Sequence, residues 1–466
     1  MPKLLWSLTA LELVEGYRRG TVTPLDASHA VLDRLHAVNG KLNAVIAWDA
    51  DAVLRCAAAS AERWKQKVPR SPLEGVPITI KDNLYMKGLR ATWGSKLLAD
   101  FAPDEDEPAV ARLRNAGLVL LGKTNVPEFT IQGYTSNTLF GTTFNPHALG
   151  KTPGGSTGGG AAAVAAGIGP LALGTDGGGS IRRPAAHCGL FALKPSIGQI
   201  ARYGGFPQIL SDFEVIGLIA RTAADLEALR CVLAAPDPLD PRTLTGSATM
   251  PAIPAQPRVA YMPAIGNHPV DPIIAAEVRK VADAVSDFGA EVETVAAPFD
   301  YDQITAAWGT VMTCGLAWYL SRFPAWRENV NPAAQAAAAD GAQKSTQQLL
   351  DALSKVAEVR VAAGKFFERY DLLLSPAAAA LAWPAAEVFP AQIDGKPVGP
   401  RGHAVFTAWM NVAGVPAVTV PLKLTTDGGG IGLQLAAAHG RDRELSHFVQ
   451  SHPVFTRLAP LPLAEI

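Results

Sequence analysis

Two glycine clusters, each enclosing a hydroxyl residue, occupy Pro153–Pro195: PGGSTGGGAAAVAAGIGPLALGTDGGGSIRRPAAHCGLFALKP. Ser156 sits in the first and Ser180 in the second, with a helix of small residues expected between them over Gly158–Gly167. Three glycines before Ser180 let the backbone take positive φ and approach a ligand closely. Successive N–H groups in such a turn can converge on one concavity and form an anion nest. Acyl transfer needs that device, because charge develops on an oxygen in its transition state. One cluster alone reads as a turn in a loop. Two clusters, each with a serine, point to a site.

The rest of the chain alternates. Its first 66 residues read as helices: one capped by Ser7 with Leu11, Val14 and Tyr17 at helical spacing, one opened by Pro24, and a third over Ala50–Lys65. Strands are expected at Val76–Asp82, Leu118–Leu121, Leu171–Leu173, Arg258–Met262, Glu291–Val295, Asp371–Leu374, Ala417–Val420 and Ile431–Leu435. Helices are expected at Glu107–Ala116, through Ile274, Val278, Val281, Val285 and Phe288, and over Pro332–Glu368 with a break near Gly341. Alternation of this kind predicts an α/β fold: a mixed central β-sheet flanked by helices on both faces. Length alone suggests about two to three domains. The Pro-rich stretch Pro236–Pro257 is nevertheless read as a surface connection, because the strands on either side can join one sheet. A single domain over 1–466 is therefore expected, with a helical segment 1–66, a core 70–230 and a remainder 258–466.

Composition removes several functions. Lys+Arg is 41 and Asp+Glu 42, a net charge of −1, so nothing favours binding to a phosphate backbone. The 43 glycines cluster instead of repeating, which excludes a collagen-like chain. Cys56, Cys188, Cys231 and Cys314 are scattered without a CxxC pair, so reduced thiols and a cytoplasmic location are expected, and no zinc ribbon or disulfide framework. The most apolar stretch, Ala161–Leu173, is short for a membrane span and is interrupted by Gly167, Gly169 and Pro170. No HExxH or acidic cluster suggests a metal. Gly117–Thr124, GLVLLGKT, matches the phosphate-loop pattern in form, but its Leu-Val-Leu-Leu interior reads as a buried strand.

A serine nucleophile needs a base. None of the nine histidines lies in a catalytic string, and no SxxK motif occurs. His187 is near Ser180 in sequence, but its flanks, PAAHCG, suggest turn and packing. Lys81, at the end of the strand GVPITIKDN, is the better candidate. It can accept a proton only when neutral, so its pKa must fall by a few units from about 10.4, which burial would bring about.

The strings GVPITIKDN, GKTNVPEF, PGGSTGGGAAAVAAG, GTDGGGSIRRPAAHCG and ALKPS resemble the amidase signature family. The similarity continues through YDLLLSPA, FTAWMNVAGVPAVTVPL and IGLQLAAAHGRDREL, most of the chain from about residue 70. The resemblance implies a Ser–cis-Ser–Lys triad of Ser180 as nucleophile, Ser156 as bridge after a cis peptide bond, and Lys81 as base. It implies an oxyanion nest from the N–H groups of Gly177, Gly178, Gly179 and Ser180, and Asp176 and Arg182 as partners holding the loop. Thr157, expected at the substrate side, replaces the commoner second serine, and its methyl group has to be accommodated. Glu214 stands where the family usually has Asp. The resemblance further implies hydrolysis of a small carboxylic amide, with no cofactor and no metal, and a homodimer as a possible assembly. Aromatic segments after Tyr203, around Trp308–Trp318 and around Phe406–Asn411 suggest an apolar or aryl acyl group. Carbamates, hydrazides and esters share the chemistry. The alternative is a glutamine-hydrolysing amidotransferase subunit that works with a tRNA-binding partner.

Overall fold

A computed structural model describes residues 4–247, 250–458 and 460–466. Its centre is an 11-stranded mixed sheet. In chain order the strands are β1 (Val45–Ala47), β2 (Pro77–Lys81), β3 (Val119–Thr124), β4 (Leu171–Asp176), β5 (Phe191–Lys194), β6 (Val215–Ala220), β7 (Arg258–Tyr261), β8 (Glu291–Thr294), β9 (Leu372–Pro376), β10 (Ala417–Leu424) and β11 (Gly430–Ala436). Their spatial order is β1-β3-β2-β4-β6-β5-β10-β11-β9-β7-β8. β3, β2 and β4 run parallel, as do β9, β7 and β8, while the strands between pair antiparallel.

Alternation along each strand explains the layers. Leu118 and Leu120 pack into a cluster with the helices Ala10–Arg19, Pro108–Asn115, Ala223–Leu233, Pro272–Asp287 and Asp442–Ser451, whereas Val119 and Leu121 face Pro24–Leu42, Ala50–Lys65 and Gly158–Ala165. Leu372 and Leu374 likewise point to the first cluster and Leu373 to a second. With side chains alternating between faces, a sheet apolar on both sides needs helices on both. This is the α/β architecture expected.

Several boundaries differ from the sequence reading. The first helix is capped by Thr9, not Ser7: Thr9 and Glu12 form a capping box, and Ser7 lies in a preceding 3-10 turn. The long helical region is two helices, Pro332–Gln343 and Thr346–Arg369, and the break is the Ser345 cap, not Gly341. Gly341 lies inside the first of them, where a Cβ would stand 1.9 Å from the Thr313 carbonyl oxygen. It permits two helices to cross closely. β3 runs on to Thr124, so the phosphate-loop look-alike is a buried strand, and Lys123 reaches the Leu84 carbonyl and Asp82. The strands flanking Pro236–Pro257, β6 and β7, belong to the same sheet. Within that stretch Ala248 and Thr249 lie outside the described residues.

Parallel β2 and β4 are adjacent, so their carboxyl ends emerge together. Ligands of open α/β sheets bind beyond such ends. Lys81 closes β2 and Asp176 closes β4.

Candidate active site

Lys81 is fully buried, and its Nζ donates to Ser156 Oγ at 2.8 Å, to Thr175 Oγ1 at 2.9 Å and to the Thr175 carbonyl at 3.1 Å. Burial drives its pKa down to about 7, against the pull of Glu214 and Asp176. The neutral amine is thus within reach near neutral pH. Thr175 is held by Asn83, whose Nδ2 lies 3.0 Å from Thr175 Oγ1 and 3.1 Å from Glu214 Oε1. Glu214 pairs with Arg202 at 3.1 Å. Burial would raise the Glu214 carboxyl, but Arg202 and Lys81 outweigh it and hold it below the ordinary range.

The two serine loops meet. The Gly155–Ser156 peptide bond is cis. The N–H of Thr157 donates to the Ser180 carbonyl at 3.0 Å, tying one loop to the other. Ser156, Gly177, Gly178 and Ser180 line one narrow cleft of about 310 Å³, mouth included. Its walls are Thr130, Ile131, Gln132, Leu210 and Trp308, with Arg183, Glu214 and Arg401 as charged neighbours.

Asp176 organises the second loop. It accepts the N–H groups of Gly179 at 2.7 Å and Ile181 at 3.0 Å, and Arg182 grips both its oxygens, Nη2 to Oδ1 at 3.0 Å and Nε to Oδ2 at 3.1 Å. Both side chains are fully buried. Burial would raise the Asp176 pKa, but Arg182 and the backbone donors hold it far below the carboxylate range. Arg182 continues to Gln434 Oε1 at 3.0 Å and to Asn411. Asn411 Nδ2 in turn donates to Asp176 Oδ1 at 2.9 Å. Carbonyls of the loop are pinned too: Gly177 by Trp308 Nε1 at 2.7 Å, Gly178 by Thr407 Oγ1 at 2.8 Å.

Two expectations need correction. The Gly179 N–H is occupied by Asp176 and is not free for a substrate oxygen. The N–H groups of Gly177, Gly178 and Ser180 meet no acceptor among the described residues. Thr157 does not line the cleft: it is fully buried, and its hydroxyl donates to the Thr175 carbonyl at 3.2 Å. Its methyl carbon fits over Gly174, where a Cβ would come within 2.5 Å of it. His187 is buried against Trp383, at 5.8 Å between ring centroids, and burial lowers its pKa to about 3. It is absent from the cleft wall. Of the aromatic segments, Trp308 lines the cleft, Trp318 points outward, and Phe406 is core. Thr175, Asn83, Asn411 and Arg401 escaped the sequence reading. Asn83 and Asn411 lie inside strings that drew attention as wholes, but nothing local marked them or Arg401.

A twisted mixed sheet with this serine–lysine cluster beyond its parallel strands defines an amidase-signature hydrolase. The family model described as Amidase matches residues 26–445, and the chain belongs to that family. It is 34% identical over 455 residues to an acylamidase of Rhodococcus erythropolis, covering 93% of this chain and 92% of that protein. It is 33% identical over 494 residues to a glutamyl-tRNA(Gln) amidotransferase subunit of Solidesulfovibrio magneticus, with 98% of each covered. A crystal structure of a bacterial aryl acylamidase of the amidase signature family superposes with a TM-score of 0.87 at 28% identity, covering 97% of this chain and 96% of that one.

Proposed function

We propose that the protein hydrolyses a small carboxylic amide through an acyl-enzyme on Ser180. Neutral Lys81 takes the proton of Ser156 as Ser156 takes that of Ser180. The freed Ser180 oxygen bonds to the amide carbon, and the carbonyl oxygen gathers negative charge before the N–H groups of Gly177, Gly178 and Ser180. When the C–N bond breaks, the relay returns the proton to the departing nitrogen. Water then attacks the ester by the same route, yielding the acid and free Ser180. Asp176, Arg182 and Asn411 act as positioning residues for the loop.

The observation that carries this reading is the buried Lys81 amine, 2.8 Å from Ser156 Oγ with its pKa drawn down to about 7. An apolar or aryl acyl group suits walls formed by Ile131, Leu210 and Trp308. The reading includes a cytoplasmic setting, consistent with four free cysteines. No described helix is long and apolar enough to cross a membrane.

The test is release of amine or ammonia from a panel of aliphatic, aryl and amino-acid amides. Ser180→Ala is expected to lose at least about a thousandfold in kcat while keeping its circular dichroism. Wild-type turnover by purified Ser180→Ala overturns the role given to that serine. Similarity to amidotransferase subunits favours glutamine hydrolysis as a second reading. Turnover of simple amides by the chain alone, with none of glutamine, counts against it. Esters, carbamates and hydrazides belong in the panel because the same acyl-enzyme serves them.

A further inference from the structure

Arg401 stands in the wall of the cleft that holds Ser180, and it equally lines a wide neighbouring groove of about 1670 Å³, mouth included. Its guanidinium stacks on the Trp308 ring at 4.3 Å. Nε and Nη2 are buried and have no acceptor among the described residues. No carboxylate lies within ion-pair distance of it among the described residues, although Glu214 shares the cleft, because Glu214 is taken by Arg202. Arg183 beside it is bound to His403 and to the carbonyls of Gly155 and Gly179, none of them anionic. Asp176 is fully engaged by Arg182. The cleft therefore carries two guanidinium groups without carboxylate partners.

A guanidinium held partly out of water with no counter-charge is costly and calls for one. A guanidinium offers planar forked donors matched to a carboxylate. The groove supplies more donors. Tyr301, Thr305 and Trp308 follow one another at i, i+4 and i+7 on the helix Tyr301–Leu320, so they share a face. Tyr301 and Thr305 line the groove, and the buried hydroxyls of both lack partners among the described residues. Trp308 continues the row into the cleft. Of the groove's own acids, Asp300 caps that helix, and Asp302 points largely into solvent, 3.8 Å from His268. Burial lowers the Arg401 pKa, and Tyr301 and Asp176 pull it back up.

We propose that Arg401 is a substrate-binding residue that recognises a carboxylate carried by the amide substrate, with the groove of Tyr301 and Thr305 receiving that end. This rests on the hydrolase reading for its substrate but not for its measurement. The substrate class becomes an amide with an apolar body and an anionic terminus.

Two measurements separate the claims. The first is binding, by calorimetry in the Ser180→Ala background, of N-phenylsuccinamic acid, 4-acetamidobenzoate and their neutral counterpart acetanilide. At least one carboxylate amide is expected to bind about tenfold or more tighter than acetanilide, and Arg401→Met to erase that margin while Arg401→Lys keeps part of it. The second is turnover of the same compounds by the Ser180 protein, read as the ratio of kcat/KM for the carboxylate amide to that for acetanilide. Arg401→Met is expected to bring this ratio down about tenfold or more. Equal binding of charged and neutral amides, or a margin that survives Arg401→Met, overturns the anion site. Selective binding with no turnover of these compounds or of any amide in the panel keeps the anion site and overturns the hydrolase reading.

Discussion

Lys81 is the residue on which the proposed chemistry turns, and its burial has two measurable consequences. With a folded pKa of about 7, the amine gains its neutral, proton-accepting form as pH rises through that value. The kcat/KM profile for a neutral amide is expected to climb with pH and level off above about 7, and a flat profile across that range would remove Lys81 as base. Stability follows with a definite sign. In the unfolded chain the amine titrates near 10.5, so between about 7 and 10.5 the unfolded state holds more protons than the folded one. Lys81 therefore penalises folding most below pH 7, and the penalty is relieved towards 10.5. Relative to Lys81→Met, the wild-type unfolding free energy should rise across that window, measured by urea denaturation at stepped pH.

At the scale of elements, legibility depended on whether the signal was local. The helix Ala50–Lys65 and the apolar face of Pro272–Asp287 came directly from periodicity. Thr9 was legible and missed: Thr-Ala-Leu-Glu spells a capping box, yet the earlier Ser7 drew the cap. Gly341 was misread because a glycine between helices looks like a breaker, whereas its reason lies on another helix, at Thr313. Gly341→Ala is expected to force Pro332–Gln343 off Tyr301–Leu320 and to cost about 1–3 kcal/mol, visible as a lower Tm. An unchanged Tm would mean the crossing is loose. The Lys81–Ser156 contact and the meeting of the Ser156 and Ser180 loops were legible because each of the three residues sits in its own glycine-rich or strand-end string. Arg401 was not, since its meaning comes from Trp308 and from the lack of an acid nearby, neither of which adjoins it in sequence.

At the scale of the molecule, strands from Val45 to Ala436 share one sheet, and the strands before and after the Pro-rich stretch are both within it. One cooperative unit is the expectation. Near- and far-ultraviolet circular dichroism should trace a single coincident denaturation curve, and two separated transitions would divide the chain into domains. The sheet's ends bear on how copies could associate. The outermost strand β8 is short and carries Glu291 and Glu293, the latter bound by Arg369 at 2.8 Å and by Tyr370 at 2.7 Å. The opposite outermost strand, β1, has three residues. A newcomer strand would meet a short, acidic edge at one rim and would find scarcely any template at the other. Copies of this chain would therefore gain little from pairing sheet edge to sheet edge, and the serine–lysine cluster beyond the parallel strands is assembled from residues of one polypeptide.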